Sequence, residues 1–156
     1  MKVLTVLVPV YNEGANPAAF VERLMAAPCP LEREFIFIDD GSSDNSLQTL
    51  RELAGRYPLR AIDQGRNLGK GRAIRRGIGE AAGDLTMIQD ADFEYDPHDV
   101  PALLEPIIEG RADVVYGSRF KQEASQVHRT YHYAVNRLLT FLSNLLSGIY
   151  LTGVRT

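Results

Sequence analysis

Along the chain, short apolar runs alternate with segments whose apolar positions recur every three or four residues. Val3–Val10 is a β-branched run that stops at Tyr11-Asn12-Glu13-Gly14, as a buried strand stops at a turn. Asn16-Pro17 sets a capping side chain directly before a proline and opens a helix to about Ala27. Residues 35–39 form a second strand, closed by Asp40-Gly41-Ser42-Ser43, and Leu47, Leu50, Leu53 and Ala54 then share one helical face. Leu59–Asp63 is a third strand, 70–82 a third helix despite Gly71, Gly77 and Gly79, and 85–89 a fourth strand entering Asp90-Ala91-Asp92. Asp96-Pro97 repeats the cap-then-proline signal ahead of Val100, Leu103, Leu104, Ile107 and Ile108, and Pro106 is expected to kink or shorten that helix. Residues 114–116 complete the pattern as a fifth strand and 131–146 as a final helix.

Strands alternating with helices predict an α/β fold, a mostly parallel sheet with helices on both faces. In such sheets ligands bind beyond the carboxyl ends of the strands. The polar clusters fall at that edge: Tyr11-Asn12-Glu13 after the first strand, Asp39-Asp40 at the second, Asp90-Ala91-Asp92 after the fourth, Gly117-Ser118-Arg119 after the fifth. One cluster is ordinary turn composition; four at one edge are a site.

At 156 residues there is room for one sizeable core and not for two domains. A hydrophobic share of 45% with 24% charged residues excludes disordered and fibrous classes. The net charge of −3 argues against a general nucleic-acid binder, but it is unevenly spread. Residues 119–156 hold five Lys or Arg against Glu123 alone, net +4, while residues 1–118 hold twelve against nineteen acids, net −7. Cys29 stands alone, so there is no disulfide framework or paired-cysteine metal site, and a reducing, cytoplasmic compartment fits. The amino end lacks the apolar length of a signal peptide, and 138–151, the most apolar stretch, is too short to span a membrane.

Asp90-Ala91-Asp92 puts two carboxylates on one turn, where a hard divalent cation relieves their repulsion and keeps open positions; Glu94 can add a third oxygen. In Asp39-Asp40-Gly41-Ser42-Ser43-Asp44, Gly41 permits a tight turn and Ser43 or Asp44 caps the next helix, leaving Asp39 to accept from a base edge or ribose. Asn67-Leu68-Gly69-Lys70-Gly71 is a glycine-rich helix entry suited to an anion. It is not a GxxxxGK[ST] phosphate loop, and no GxGxxG follows the first strand.

Taken in order, Val8-Pro9-Val10-Tyr11-Asn12-Glu13, Asp39-Asp40-Gly41-Ser42, Asn67-x-Gly-Lys-Gly, Asp90-Ala91-Asp92 and Gly117-Ser118-Arg119 resemble family 2 glycosyltransferases, in particular the dolichyl- or polyprenyl-phosphate sugar synthase branch. The resemblance covers nearly the whole chain and includes the tail 144–152. It implies a GT-A (Rossmann-like) fold, a UDP- or GDP-linked sugar donor, and Mg2+ or Mn2+. By position, Pro9, Tyr11, Glu13 and Asp39 match nucleotide-holding residues, with Lys70 and Asp90 beside them. Asp90, Asp92 and Glu94 match the metal-binding turn, while Arg119 and Arg129 join Asp92 as catalytic residues facing phosphate. Residues 1–118 are then the nucleotide-binding part of one catalytic domain, and 119–156 its basic acceptor and membrane-side tail.

Two departures bear on function. Gly153 stands where the branch has an Asp, and the branch continues past Thr156, so the fold reads as truncated at its carboxyl end. A sugar hydroxyl needs a base to take its proton, whereas a phosphate monoester is already ionised near neutral pH. The expected reaction is therefore transfer to a polyprenyl phosphate. A non-catalytic nucleotide-sugar binding domain and a nucleotidyltransferase are the alternatives. Leu138, Leu139, Phe141, Leu142, Leu145, Leu146 and Ile149 recur at helical spacing beside Arg129 and Arg137, which suits peripheral contact with an anionic membrane.

Overall fold

The computed structural model describes residues 2–14, 17–92 and 95–117. The chain divides into two units, Met1–Glu105 and Pro106–Thr156. The first holds a sheet of four strands: β1 (Val3–Val10), β2 (Glu32–Asp39), β3 (Leu59–Asp63) and β4 (Leu85–Ile88). Their spatial order is β3-β2-β1-β4, and every pairing is parallel. Helices α1 (Pro17–Ala26), α2 (Ser46–Ala54) and α3 (Lys70–Glu80) fill the crossovers, and α4 (Val100–Ile108) follows a 3-10 turn at Pro97–Asp99.

β1 is central because it is apolar on both sides. Its Leu4, Val6, Val8 and Val10 share one core with Phe35 and Phe37 of β2, Phe20 and Leu24 of α1, Leu50 and Leu53 of α2, and Val100 and Leu104 of α4. Leu7 faces the other way, packing with Ile36, Ile38 and Ala73 of α3. That second layer is thin. α3 buries only Ala73 and Gly77, and a Cβ on Gly77 would lie 2.8 Å from Ile38 Cδ1 and 3.0 Å from Leu7 Cδ2. The helix therefore lies flush on the sheet.

Register fixes the functional edge. Val10 pairs with Asp39 and Asp39 with Asp63, so three strands end level, and Gln89 N–H donates to Leu7 O at 2.9 Å to align the chain after β4. At the opposite edge the Thr5 hydroxyl donates to Glu34 Oε2 at 2.7 Å, Ala82 N–H donates to the same oxygen at 3.0 Å, and Gly83 N–H donates to Thr5 Oγ1 at 3.0 Å.

The predicted α/β architecture is present, with differences in detail. β2 starts at Glu32, ahead of its apolar run, because β1 offers a ladder as far as Val3. α3 stops at Glu80, where Ala81 turns extended. Asp96 does cap as expected, accepting His98 N–H at 3.0 Å, and α4 ends two residues past Pro106. The fifth strand is corrected. Residues 114–117 are irregular, with Val114 64% and Tyr116 70% exposed and no strand beside them among the described residues. Without a ladder partner among the described residues, this exposed run leaves its backbone groups to water. Helical cover on both faces holds for β1 and β2 but not for β4, whose Ile88 is 50% exposed. The helix expected at 131–146 lies outside the described residues, as does Asn16.

Candidate active site

The loops at the carboxyl edge are tied to one another by side chains. Asn12 takes φ +55°, a left-handed conformation that asparagine tolerates better than most side chains. Its Oδ1 accepts Ser43 N–H at 2.8 Å while its own N–H donates to Ser42 Oγ at 3.0 Å. Glu13 N–H donates to Ser46 Oγ at 3.0 Å and Gly14 N–H to Asp44 Oδ2 at 2.8 Å. Ser43, one of the two residues expected to cap α2, is thus committed to the loop after β1 instead. Asn45 holds the cap position without a side-chain bond, and only Asp44 serves the helix, accepting Ser46 N–H at 2.9 Å.

The two aspartates after β2 are both buried and do different things. Asp39 Oδ2 accepts Ser42 N–H at 2.9 Å, whereas its Oδ1 is buried without a partner. Leaving such an acceptor unmet costs about 1–3 kcal/mol. Asp40 holds the next loop, accepting Gln64 Nε2 at 2.6 Å, Leu68 N–H at 2.8 Å and Gly69 N–H at 2.9 Å. Gly41, at φ +72°, lets this loop come close: a Cβ there would stand 2.4 Å from the Arg66 carbonyl carbon.

These loops enclose an open cavity of about 270 Å³. Pro9 lines it from β1, Tyr11 and Glu13 from the loop after β1, Lys70 from the start of α3, and Asp90 and Asp92 from the turn after β4. Of the residues singled out by sequence, Asp39 is the exception among those described. The cavity is lined by its neighbour Asp40, together with Asn67 and Gly69. Glu94, Arg119 and Arg129 lie outside the described residues.

Charge in the cavity is concentrated. Lys70 Nζ meets Asp90 Oδ1 at 2.5 Å. Burial pushes the Glu13 carboxyl above its ordinary range, and the negative charges of Asp92, Asp44 and Asp90 push it further. Gly69 caps α3 with no side-chain bond, so the amino end of the helix faces this space with open N–H groups and a positive dipole. A cavity lined by Glu13, Asp90 and Asp92, with only hard oxygen donors among its carboxylates, fits a hard divalent cation such as Mg2+ or Mn2+. Among the described residues no three His, Cys, Asp or Glu side chains form a complete cage, so phosphate oxygens and water would supply the remaining ligands.

A parallel sheet with this carboxylate turn and helix entry at its carboxyl edge is the GT-A fold. The glycosyl transferase family 2 model matches residues 5–153, and the chain belongs to that family. It is 36% identical over 120 residues to the dolichol-phosphate mannosyltransferase of Pyrococcus furiosus, covering 77% of this chain and 34% of the relative. It is 35% identical over 151 residues to the undecaprenyl-phosphate 4-deoxy-4-formamido-L-arabinose transferase of Proteus mirabilis, covering 94% of this chain and 46% of the relative. The chain thus spans less than half the length of these curated relatives. Among solved structures it resembles a mannosyltransferase from Pyrobaculum calidifontis in complex with GDP-Man and Mn2+, with TM-score 0.53 and 27% identity over 57% of this chain and 27% of that one. It also resembles glucosyl-3-phosphoglycerate synthase from Mycobacterium tuberculosis in complex with Mn2+, UDP and glucosyl-3-phosphoglycerate, with TM-score 0.55 and 25% identity over 68% of this chain and 39% of that one.

Proposed function

We propose that this chain is the nucleotide-binding and catalytic part of a glycosyltransferase that moves a sugar from a UDP- or GDP-linked donor to a polyprenyl phosphate. One observation carries this reading: Asp90 and Asp92 meet Lys70 and the open amino end of α3 in a single cavity at the carboxyl edge of the sheet. That combination suits a diphosphate, which takes N–H donors and an ammonium on one side and shares a cation with carboxylates on the other. The relatives named for dolichol and undecaprenyl phosphate acceptors, and neighbours solved with GDP-Man or UDP and Mn2+, support the same donor and acceptor classes.

Tyr11, 46% exposed, and Pro9 both line the cavity and are the apolar contacts for the base. Glu13 and Asp40, which line the cavity, are the acceptors for ribose and base N–H groups, and Asp39 holds the turn beside them through Ser42 N–H. Asp90 and Asp92, with Glu94, hold the divalent cation, which when bound neutralises the charge building on the departing diphosphate. Lys70 shares that task from the side of α3. The bond from the anomeric carbon to the donor diphosphate breaks as the bond to an acceptor phosphate oxygen forms, and nucleoside diphosphate leaves. An acceptor phosphate needs no base, so Arg119 and Arg129 hold it in line by charge-assisted hydrogen bonds. Residues 1–118 are the donor part of this domain and 119–156 its acceptor side, placed peripherally at the cytoplasmic membrane face. Among the described residues no helix is long and apolar enough to cross a membrane.

The test is a panel of nucleotide-sugars with Mn2+ or Mg2+ and polyprenyl phosphate, followed by product analysis. Release of nucleoside diphosphate that depends on the lipid phosphate is the expected result. Pyrophosphate would mean nucleotidyl transfer, and donor binding without product would mean a binding domain; either overturns the proposal.

A further inference from the structure

We propose that the outward face of α3 docks this domain onto an anionic membrane surface. Residues 66–79 carry Arg66, Lys70, Arg72, Arg75 and Arg76 and no acid, net +5, while the rest of residues 1–118 has a net charge of −12. With Ala73 and Gly77 against the sheet, Arg72, Arg75 and Arg76 stand at i, i+3 and i+4 on the exposed side. Arg76 pairs with Glu80, at 3.4 Å, and Lys70 with Asp90. Arg66, Arg72 and Arg75 make no ion pair among the described residues.

The fold gains nothing from this arrangement. Like charges one turn apart repel, and an acid on this face would relieve them. Gly71 and Gly79 add no side chain to the exposed surface, and a Cβ at either would touch nothing within 4 Å. Among the described residues the face is therefore low, basic and unobstructed. A flat polyanion satisfies all three guanidinium groups at once.

A bilayer fits better than a nucleic acid because apolar side chains accompany the arginines. Leu68 just before α3 is 42% exposed and Ile78 near its end 55% exposed. Ile88 of β4, 50% exposed, pairs in register with Leu7 and so lies on the sheet face that α3 covers. Arginines at lipid phosphates with leucine and isoleucine at the acyl boundary is how an amphipathic surface sits in a membrane interface. A nucleic-acid backbone would use the arginines and leave the isoleucines in water. The choice of lipid rests on the polyprenyl phosphate reading above, since an acceptor embedded in a bilayer brings the domain to that surface.

The experiment is co-sedimentation of the full chain with vesicles of phosphatidylcholine alone and with vesicles in which roughly a third of the lipid is anionic phosphatidylglycerol, neither containing polyprenyl phosphate. Binding is expected only to the anionic vesicles and is expected to fall steeply with added salt. Each basic side chain near such a surface is worth about fivefold in binding, so Arg72→Glu with Arg75→Glu should reduce it at least tenfold. Ile78→Ser should reduce it as well, while leaving binding of a single-stranded RNA oligonucleotide unchanged. Melting temperatures and nucleoside diphosphate affinity should match the parent in each variant. Equal vesicle binding by the charge-reversed variant, no binding at low salt, or tighter binding to RNA than to vesicles would overturn the proposal. Loss of nucleotide binding by the parent with vesicle binding intact would strike the donor reading and not this one.

Discussion

Replacing Gly41 by alanine should damage the protein out of proportion to one methyl group. At φ +72° an L side chain costs about 1–2 kcal/mol. The new Cβ would stand 2.4 Å from the Arg66 carbonyl carbon and 2.5 Å from Asn67 N, against about 3.5–4.0 Å for an ordinary contact. Backbone must therefore move by about 1 Å. It cannot do so freely, because Asp40 pins that loop through Leu68 N–H and Gly69 N–H. Losing one hydrogen bond to a charged acceptor costs about 1.5–3 kcal/mol, so the total is about 2.5–5 kcal/mol. With a urea slope of about 2 kcal/mol/M, the denaturation midpoint followed by circular dichroism should fall by about 1.2–2.5 M. Gly79→Ala makes the same chemical change on an open helix face and should raise the midpoint slightly, since alanine is the better helix former. A Gly41→Ala midpoint within about 0.3 M of the parent would refute the close approach of the two loops.

Four further outcomes are expected. Asp90→Ala and Asp92→Ala should each lower Mn2+-dependent affinity for nucleoside diphosphate at least about tenfold by calorimetry without lowering the melting temperature; unchanged affinity in both would end the metal assignment. Lys70→Met should bind Mn2+ alone up to about fivefold more tightly, because a solvent-exposed pair at Asp90 is worth at most about 1 kcal/mol, while binding nucleoside diphosphate more weakly. Burial raises the Glu34 carboxyl, but hydrogen bonds from Ala82 and Thr5 and the charge of Arg60 outweigh it and hold the group below its usual 4.5. Its contribution to stability is therefore complete above pH 4.5 and fades as pH falls through the lower folded value. The gap between the parent and Glu34→Gln should shrink from pH 6 to pH 3, and a gap independent of pH would contradict this. Arg119→Ala should lose most of the transfer rate to polyprenyl phosphate and Gly153→Asp should change it little, so a large gain from Gly153→Asp would argue for a hydroxyl acceptor.

The strands were legible wherever local pattern and tertiary demand agree. Val3–Val10 announces itself as continuously apolar because it is covered on both faces, and Leu59–Asp63 because turn residues bound it. The acidic turn after β4 and the entry to α3 were legible because chain order alone puts both at the carboxyl edge. What escaped was non-local. Residues 114–116 have strand-like side chains, but only a neighbour could make them a strand. Ser43 looks like a helix cap until the loop after β1 lies beside it and takes its hydrogen bond. Adjacent aspartates at the end of β2 cannot be told apart by composition. Strand pleat sends neighbouring side chains in opposite directions, so Asp40 lines the cavity and Asp39 does not.

The lacing of Asn12, Glu13 and Gly14 to Ser42, Ser46 and Asp44 has a consequence for how errors in assembly are detected. Those bonds exist only when Val10 lies opposite Asp39. Slipping β2 by one residue would shift the serines about 3.3 Å along the strand and turn Phe35 and Phe37 away from their core. No amide of the first loop would then find its acceptor, and the cavity wall built on that loop would not form. A misaligned sheet is in this way a sheet that cannot hold a ligand. Any selection for donor binding, in a cell or on a display library, is at the same time a proofreading step for strand register.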